Sequence, residues 1–547
     1  MAGGRSLDRA KEIIALWGLL EADSANFKSL YQNVADLIFP RENQITTITS
    51  PGAERNTSIA NETGIMAKDE MATGLSINLF PPGQKFYNIL MSDRALNDIS
   101  HVKQALGQIT EISHAKRDSS NFRLEAGESL KSIAAFGTCN TYSEYLPGVG
   151  LNYKDWDVGQ YQIIQNNLGR IDGVMMKWQY TAIQAVEEFG IDAVGEKIRE
   201  ALDDEKTATK KFTFYELIRP RKKRNPGLED NLNMPFEKVI VNHEQTLVVK
   251  EGGYKRFPNA VGRWSKSSGE SWGRGQGVMA LPAVRQLQQM EYDLVECANK
   301  WNNPPYETLD SFEGIVNVVP GADNRVSEMG SIRAIDRGMR GSFPITKELL
   351  EFKEDRVRKI FLNDVFVPLV DLTGDRRTTL EIRERIAEGL RRLGTPVARL
   401  QEEWIRPLVV RDIFLLLDNG EFPELPPEIQ GKSFKIDFIG PIALELKNQQ
   451  AQGFLRWAGY GAELEDRFPG ITDNVNYDSG YRRLGETLGV SVEDIRTPEE
   501  IEGRREARQA ELDRQKAMEI AQVAAQGYPG ATKAPEEGSA AEMLMGV

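Results

Sequence analysis

At 547 residues the chain exceeds the size at which a single hydrophobic core stops growing, so more than one packed region is expected, and its 40% hydrophobic and 27% charged residues exclude disordered and collagen-like classes. Cys139 and Cys297 stand far apart without any CxxC, which excludes a disulfide framework and a cysteine-built zinc site and fits a reducing compartment. A formal net charge of −13 argues against a tightly binding DNA protein, because phosphate neutralisation by Lys and Arg supplies most non-specific affinity.

Apolar residues at helical spacing, Trp17 and Leu20 and then Phe27, Leu30, Tyr31, Val34 and Ile38, predict helices over 11–20 and 25–39, stopped by Pro40. A helix over 61–79 ends in Phe80-Pro81-Pro82-Gly83, and Phe86 to Leu90 reads as extended. Helices follow over 98–119 and 121–136. From 137 to 266 aromatic and β-branched alternation predicts strands at 212–218, 238–242 and 245–249, with a return to helix over 174–189.

The glycine-rich stretch Trp272-Gly273-Arg274-Gly275-Gln276-Gly277 leads to Leu281-Pro282, and a proline near a first turn signals a helix start. The helix runs to Trp301 with Leu287, Met290, Leu294, Ala298 and Trp301 on one stripe, and it spans roughly 28 Å. Residues 302–343 turn away from helix, with Pro304-Pro305, the apolar run Ile315 to Val319, and Pro320-Gly321 marking strands and turns. A second helix of similar length covers 346–363, with Leu349, Phe352 and Ile360 on one side and Glu348, Asp355 and Arg358 on another. Paired helices thus bracket a compact β-rich insertion. Thr378 and Glu381 form a capping-box signature for a long helix to Leu417, kinked at Pro396 and Pro407. Shorter helices are expected after Pro427 to about Thr487, a helical charged segment over 498–526, and a flexible low-complexity tail over 527–547.

The sequence offers little to catalysis. His101, His114 and His243 are scattered with no HExxH, no serine sits in a GxSxG elbow, and pairs such as Glu187-Glu188 arise by chance in an acidic chain. The glycines 273, 275 and 277 are not followed by Lys-Ser or Lys-Thr, so a nucleotide P-loop is not supported. The basic run Arg219 to Arg224 reads as a solvated loop, and Trp17, Trp178, Trp264, Trp404 and Trp457 as core or intersubunit packing. No apolar stretch is long enough to span a membrane and no secretion signal is present, so a soluble, non-secreted protein without cofactors is expected.

Several ordered motifs carry a resemblance. The run Gly269-Glu270-Ser271-Trp272-Gly273-Arg274-Gly275, followed by Ala280-Leu281-Pro282 and Leu287, resembles the turn-to-stem-helix junction of the head-to-tail connector, or portal, proteins of short-tailed bacteriophages. Asn78-Leu79-Phe80-Pro81-Pro82-Gly83 with Phe86, and Phe136-Gly137-Thr138 with Tyr142, are similar to wing segments of that family. Thr378-Thr379-Leu380-Glu381-Ile382 with Arg385, and then Pro407-Leu408-Val409, are similar to its long helix after the tunnel loop. The resemblance covers roughly residues 10 to 490.

What the resemblance implies is an α+β, mainly helical portal fold assembled as a dodecameric ring, divided into a wing (1–280), stem helix (281–301), clip (302–345), second stem helix (346–364), tunnel loop (365–377), long kinked wing helix (378–420), crown (421–497) and C-terminal tail (498–547). Such a ring sits at one capsid vertex of the virion, and in the host cytoplasm during assembly. Double-stranded DNA passes through its channel, and its partners are terminase, scaffold and major capsid protein, tail adaptor and internal core proteins. Its summed negative charge would keep DNA from sticking to the wall. Within that frame Asp371, Asp375, Arg376 and Arg377 are candidates for the tunnel constriction, although alone they read as a solvated loop. Arg325, Arg333, Arg337, Arg340 and Lys347 are candidates for facing DNA or an acidic partner at the clip, with intersubunit salt bridges the alternative. No catalysis is implied; the competing readings are another virion subunit, such as a tail adaptor or internal core protein, or a phage-encoded hydrolase.

Overall fold

In a computed structural model the described residues are 2–366 and 393–526, except 49, 51, 56–58, 204–205, 229, 311, 320–321, 327, 336–342, 466, 488–489, 491–494 and 497. The chain opens with one long helix, α1 (Ala2–Ile38), where two were expected. Nothing in Glu21-Ala22-Asp23-Ser24 breaks a helix, and the Ser24 hydroxyl turns back to the Glu21 carbonyl at 3.2 Å. Its halves serve different cores: Ala10, Ile13 and Trp17 cover a β-sheet, while Tyr31, Val34, Ala35 and Ile38 enter the main core.

The main core gathers α2 (Thr63–Leu79), the strand β1 (Tyr87–Met91), the short α3 (Arg94–Asn97), α4 (Ser100–Asp118) and α5 (Phe122–Ala135). Apart from the short α3, which was not expected, these follow the sequence expectation closely, because the helices carry apolar stripes and end at a proline, glycine or polar turn. Next come β2 (Thr138–Leu146), β3 (Gly150–Asp155), β4 (Tyr161–Gln165), β5 (Ile171–Thr181), α6 (Ala182–Phe189), α7 (Glu196–Leu202), β6 (Lys211–Pro220), β7 (Phe236–Asn242), β8 (Leu247–Tyr254) and β9 (Asn259–Arg263). Strands β4 to β8 form an antiparallel sheet in chain order, and β3, β2 and β9 a smaller one. Alternation sorts the larger sheet: Tyr215, Leu217, Val239 and Val241 face α1, while Phe212, Phe214 and Ile240 face α6 and α7.

The expected helix over 174–189 is corrected: Val174 to Thr181 is strand, and only Ala182–Phe189 is helix. Val174, Met175 and Met176 are all buried because the sheet is covered on both sides, and such a continuous apolar run has no period to distinguish strand from helix. Thr181 and Gln184 form a reciprocal capping box at the true helix start.

The helix–insertion–helix unit is α8 (Gln276–Asn302), the hairpin β10 (Tyr306–Thr308) and β11 (Ile332–Ala334), then α9 (Phe343–Ile360). Helix α8 begins before Leu281 and holds Pro282 inside it. Ile315 to Val319 forms no strand; Ile315 is 95% exposed. Leu362, with φ +59°, turns the chain into α10 (Asn363–Phe366).

Of the predicted kinked helix, 378–392 lies outside the described residues. Beyond it, α11 (Gly394–Leu400), a π-helical turn (Gln401–Ile405) and α12 (Arg406–Asp418) run on. Pro396 lies in the first turn of α11, where its missing N–H has no helical partner to lose. Pro407 follows the widened π-turn, a known site of kinking. The stretch after Pro427, where shorter helices were expected, first supplies a strand that was not, β12 (Phe434–Phe438), antiparallel to β1 with Ile89 opposite Ile436. The helices α13 (Pro441–Leu464), α14 (Tyr477–Thr487) and α15 (Pro498–Gln526) follow, the last as predicted. None of the described helices is long and apolar enough to cross a membrane.

Candidate functional site

The glycine-rich turn before α8 is built by close approach to the α5–β2 corner. A Cβ on Gly273 would meet the Gly137 carbonyl oxygen, and one on Gly275 or Gly277 would meet backbone of Gly137, Ile133 or Ala135. Gly275 N–H donates to Phe136 O at 3.0 Å, and Gly273 N–H donates to the Thr138 hydroxyl at 2.9 Å. These glycines therefore serve packing, and they fix the direction in which α8 leaves the core.

The base of α8 is buried through Ala280, Leu281, Val284 and Leu287. Buried Gln288 binds the backbone before α2, accepting from Ala60 N–H at 2.6 Å and Asn61 N–H at 2.9 Å and donating to Asn61 O at 2.7 Å. The Asn61 amide donates in turn to Glu354 of α9 at 3.0 Å, and Lys353 donates to Gln286 at 2.8 Å. Below α9, Asn363 donates to Glu70, and the Phe366 ring leaves no room for a Cβ at Gly74 of α2. The paired helices are thus clamped at one end and project β10 and β11 at the other.

The face of α9 that packs differs in part from expectation. Of the expected stripe Ile360 packs against the core, together with Leu350, Val357 and Phe361, whereas Leu349 and Phe352 are exposed, Phe352 at 62%. On α8 the expected stripe holds as far as Ala298: Leu287 is buried, and Met290, Leu294 and Ala298 are half-buried, while the side chain of Trp301 lies outside what is described. Tyr292 and Val295 beside it remain exposed. Both helices therefore carry uncovered apolar residues along the projecting part.

The charged candidates spread over this end. Arg333 faces Glu307 across the β10–β11 register at 3.8 Å, Arg325 pairs with Asp323 at 3.4 Å, and Lys347 pairs with Glu351 at 3.8 Å, all on the surface. Arg337, Arg340, Asp371, Asp375, Arg376 and Arg377 lie outside the described residues. Arg219 is paired with Glu237 at 2.6 Å and Arg221 donates to Gly252 O at 2.6 Å, so part of the basic run holds the sheet together, while Lys222, Lys223 and Arg224 are exposed. Trp17, Trp264 and Trp404 are buried, Trp178 is half-buried, and Trp457 is exposed.

The histidines stay apart. His101 meets Glu428 at 3.3 Å, His114 is buried against Tyr87, and His243 lies edge-on to Tyr215. Among the described residues no group of His, Cys, Asp and Glu is arranged to hold a metal ion.

A family model described as bacteriophage head to tail connecting protein matches residues 10–495. The chain belongs to this family. Similar proteins include one named probable portal protein from Bordetella phage BPP-1, 25% identical over 96% of this chain and 95% of the relative. A second, named portal protein and from Salmonella phage epsilon15, is 24% identical over 93% of this chain and 92% of its own length. The connector's match ends at Ile495, before α15, so the charged C-terminal helix stands outside it.

Proposed function

We propose that this connector protein is one subunit of a dodecameric portal ring, through which double-stranded DNA is packaged, retained and ejected at one capsid vertex. The observation that carries it is the projecting α8–α9 pair with Tyr292, Val295, Leu349 and Phe352 uncovered. Exposed apolar residues on two neighbouring helices mark an interaction surface, and copies around an axis would cover them. In this arrangement 281–301 and 346–364 are the stem, 302–345 the clip, 365–377 the tunnel loop, and 421–497 the crown. Asp371, Asp375, Arg376 and Arg377 stand at the constriction and meet passing phosphates transiently. Arg325, Arg333, Arg337, Arg340 and Lys347 at the clip face terminase during packaging and tail adaptors afterwards. Scaffold and major capsid protein contact the ring during assembly in the host cytoplasm, and internal core proteins contact it within the head. No covalent step is assigned to this chain; ATP hydrolysis belongs to the motor.

The test is native mass spectrometry of the purified full chain with negative-stain class averages. Closed rings with a central hole support the reading. A monomer or dimer under all conditions overturns it.

A further inference from the structure

Two unlike hollows meet over α12 to form one groove. The first, about 570 Å³, is apolar: Leu106 and Ile109 of α4 and Ile413 and Leu417 of α12 line it together with Phe422 and Leu425. The second, about 820 Å³, is lined by Tyr254, Phe257 and three cations, Lys255, Arg256 and Arg411. Arg256 lies over the Phe414 ring at 3.3 Å, and this pair belongs to both hollows. Asp418, bound to Lys255 at 3.3 Å, is the one acid in either lining among the described residues. Arg411 is only 8% exposed, and among the described residues its guanidinium donates to backbone alone, to Ser143 O and Arg256 O, each at 3.0 Å. The adjacent Asp412 carboxylate is taken by Arg117 at 2.6 Å. A buried cation without a bonded carboxylate is costly, and an anion entering the groove would offset that cost.

The chain itself carries a segment of matching chemistry outside the described residues. Glu536, Glu537 and Glu542 precede Met543, Leu544 and Met545, so carboxylates lead into an apolar triplet as the cationic hollow leads into the apolar one. The foot of α15 stands close by. Ser100, at the start of α4, donates to Glu500 at 3.1 Å, and His101 next to it meets Glu428, three residues past Leu425, at 3.3 Å. Helix α15 has 29 residues and is roughly 43 Å long, while the 16 residues between Gln526 and Met543 can span roughly 55 Å, so Met543 can return to the foot of the helix. We propose that this groove binds residues 536–545 of its own subunit, with Met543, Leu544 and Met545 in the apolar hollow and Glu542 at Arg256. Docking within one subunit needs no ring, so it stands or falls separately from the portal reading.

The experiment uses the full chain with the photo-cross-linker benzoylphenylalanine in place of Leu544, illuminated at low ionic strength. Attachment sites are read by peptide mass spectrometry on a mixture of nitrogen-15-labelled and unlabelled protein. Attachment to Phe414, Leu417, Phe422 or Leu425 within one copy is expected, and the same group in place of Met518 of α15 is expected to leave those residues unmarked. Arg256→Glu turns one charge-assisted contact into a repulsion and is expected to lower the yield about tenfold; Glu542→Lys added to it is expected to restore most of the yield. Where Arg256→Glu changes circular dichroism or melting, Leu417→Glu at the rim of the apolar hollow reads the same loss. No attachment in the groove, attachment only between copies, or an unchanged yield in both variants overturns the proposal. So does a yield that Glu542→Lys fails to restore in a chain with unchanged melting.

Discussion

Arg117 and Asp412 are both essentially inaccessible to solvent, on helices almost 300 positions apart. The guanidinium donates to one Asp412 oxygen at 2.6 and 3.2 Å and to the Tyr87 hydroxyl at 3.0 Å, while the Tyr153 hydroxyl donates to the same carboxylate oxygen at 2.7 Å. Burial pushes the Asp412 carboxyl up, against the pull of Arg117. Removing one partner strands the other charge in the core. Asp412→Ala is therefore expected to cost about 3–5 kcal/mol in a denaturant titration, and Tyr153→Phe only about 1 kcal/mol. Equal losses for the two would show that the ion pair is not the main contributor. Next to it, burial and then the charge of Arg117 push His114 down to about 3, and its Nε2 lies 3.2 Å from Tyr87 O. With its folded pKa below the unfolded value of about 6.5, the unfolded chain takes up the proton first, so stability falls as pH drops from 6.5 towards 3. His114→Gln is expected to remove that part of the slope, read as the difference between wild-type and variant melting temperatures across pH 7 to 4. A constant difference would rule it out. None of these partners was legible in the sequence, because Tyr87, Arg117, Tyr153 and Asp412 share no spacing, and only the packing of β1, α4, β3 and α12 makes them neighbours.

At the scale of elements, the α8–insertion–α9 unit was readable because both helices carry apolar stripes between clear turn signals. The insertion was readable only in part: β10 and β11 are short, and the apolar Ile315 to Val319 looks like a strand by composition but has no partner strand among the described residues. The packed face of α9 was not readable either, since Leu349 and Phe352 form one stripe and Leu350, Val357 and Phe361 another. Contact with α8 and α2 selects the second. In the proposed ring the first is left for a neighbour, and Phe352→Glu is then expected to leave the melting temperature of the subunit nearly unchanged while shifting its mass from ring to monomer in native mass spectrometry. Intact rings from this variant would place the contact between copies elsewhere.

Across the whole molecule, the sequence by itself determined the mixed helix and strand content, most helices, the helix–insertion–helix order and the connector resemblance. These rest on local periodicity, turn residues and ordered short motifs, which act over tens of residues. Tertiary structure alone decided that Val174 to Thr181 is strand, that β12 pairs with β1 across the length of the chain, and that Leu106, Arg256 and Phe414 meet in one groove. A buried strand carries no period when both faces are covered, and a five-residue strand takes its identity from its partner. Long-range pairing and shared cavities depend on how elements close over a common core, and no window of sequence contains that information.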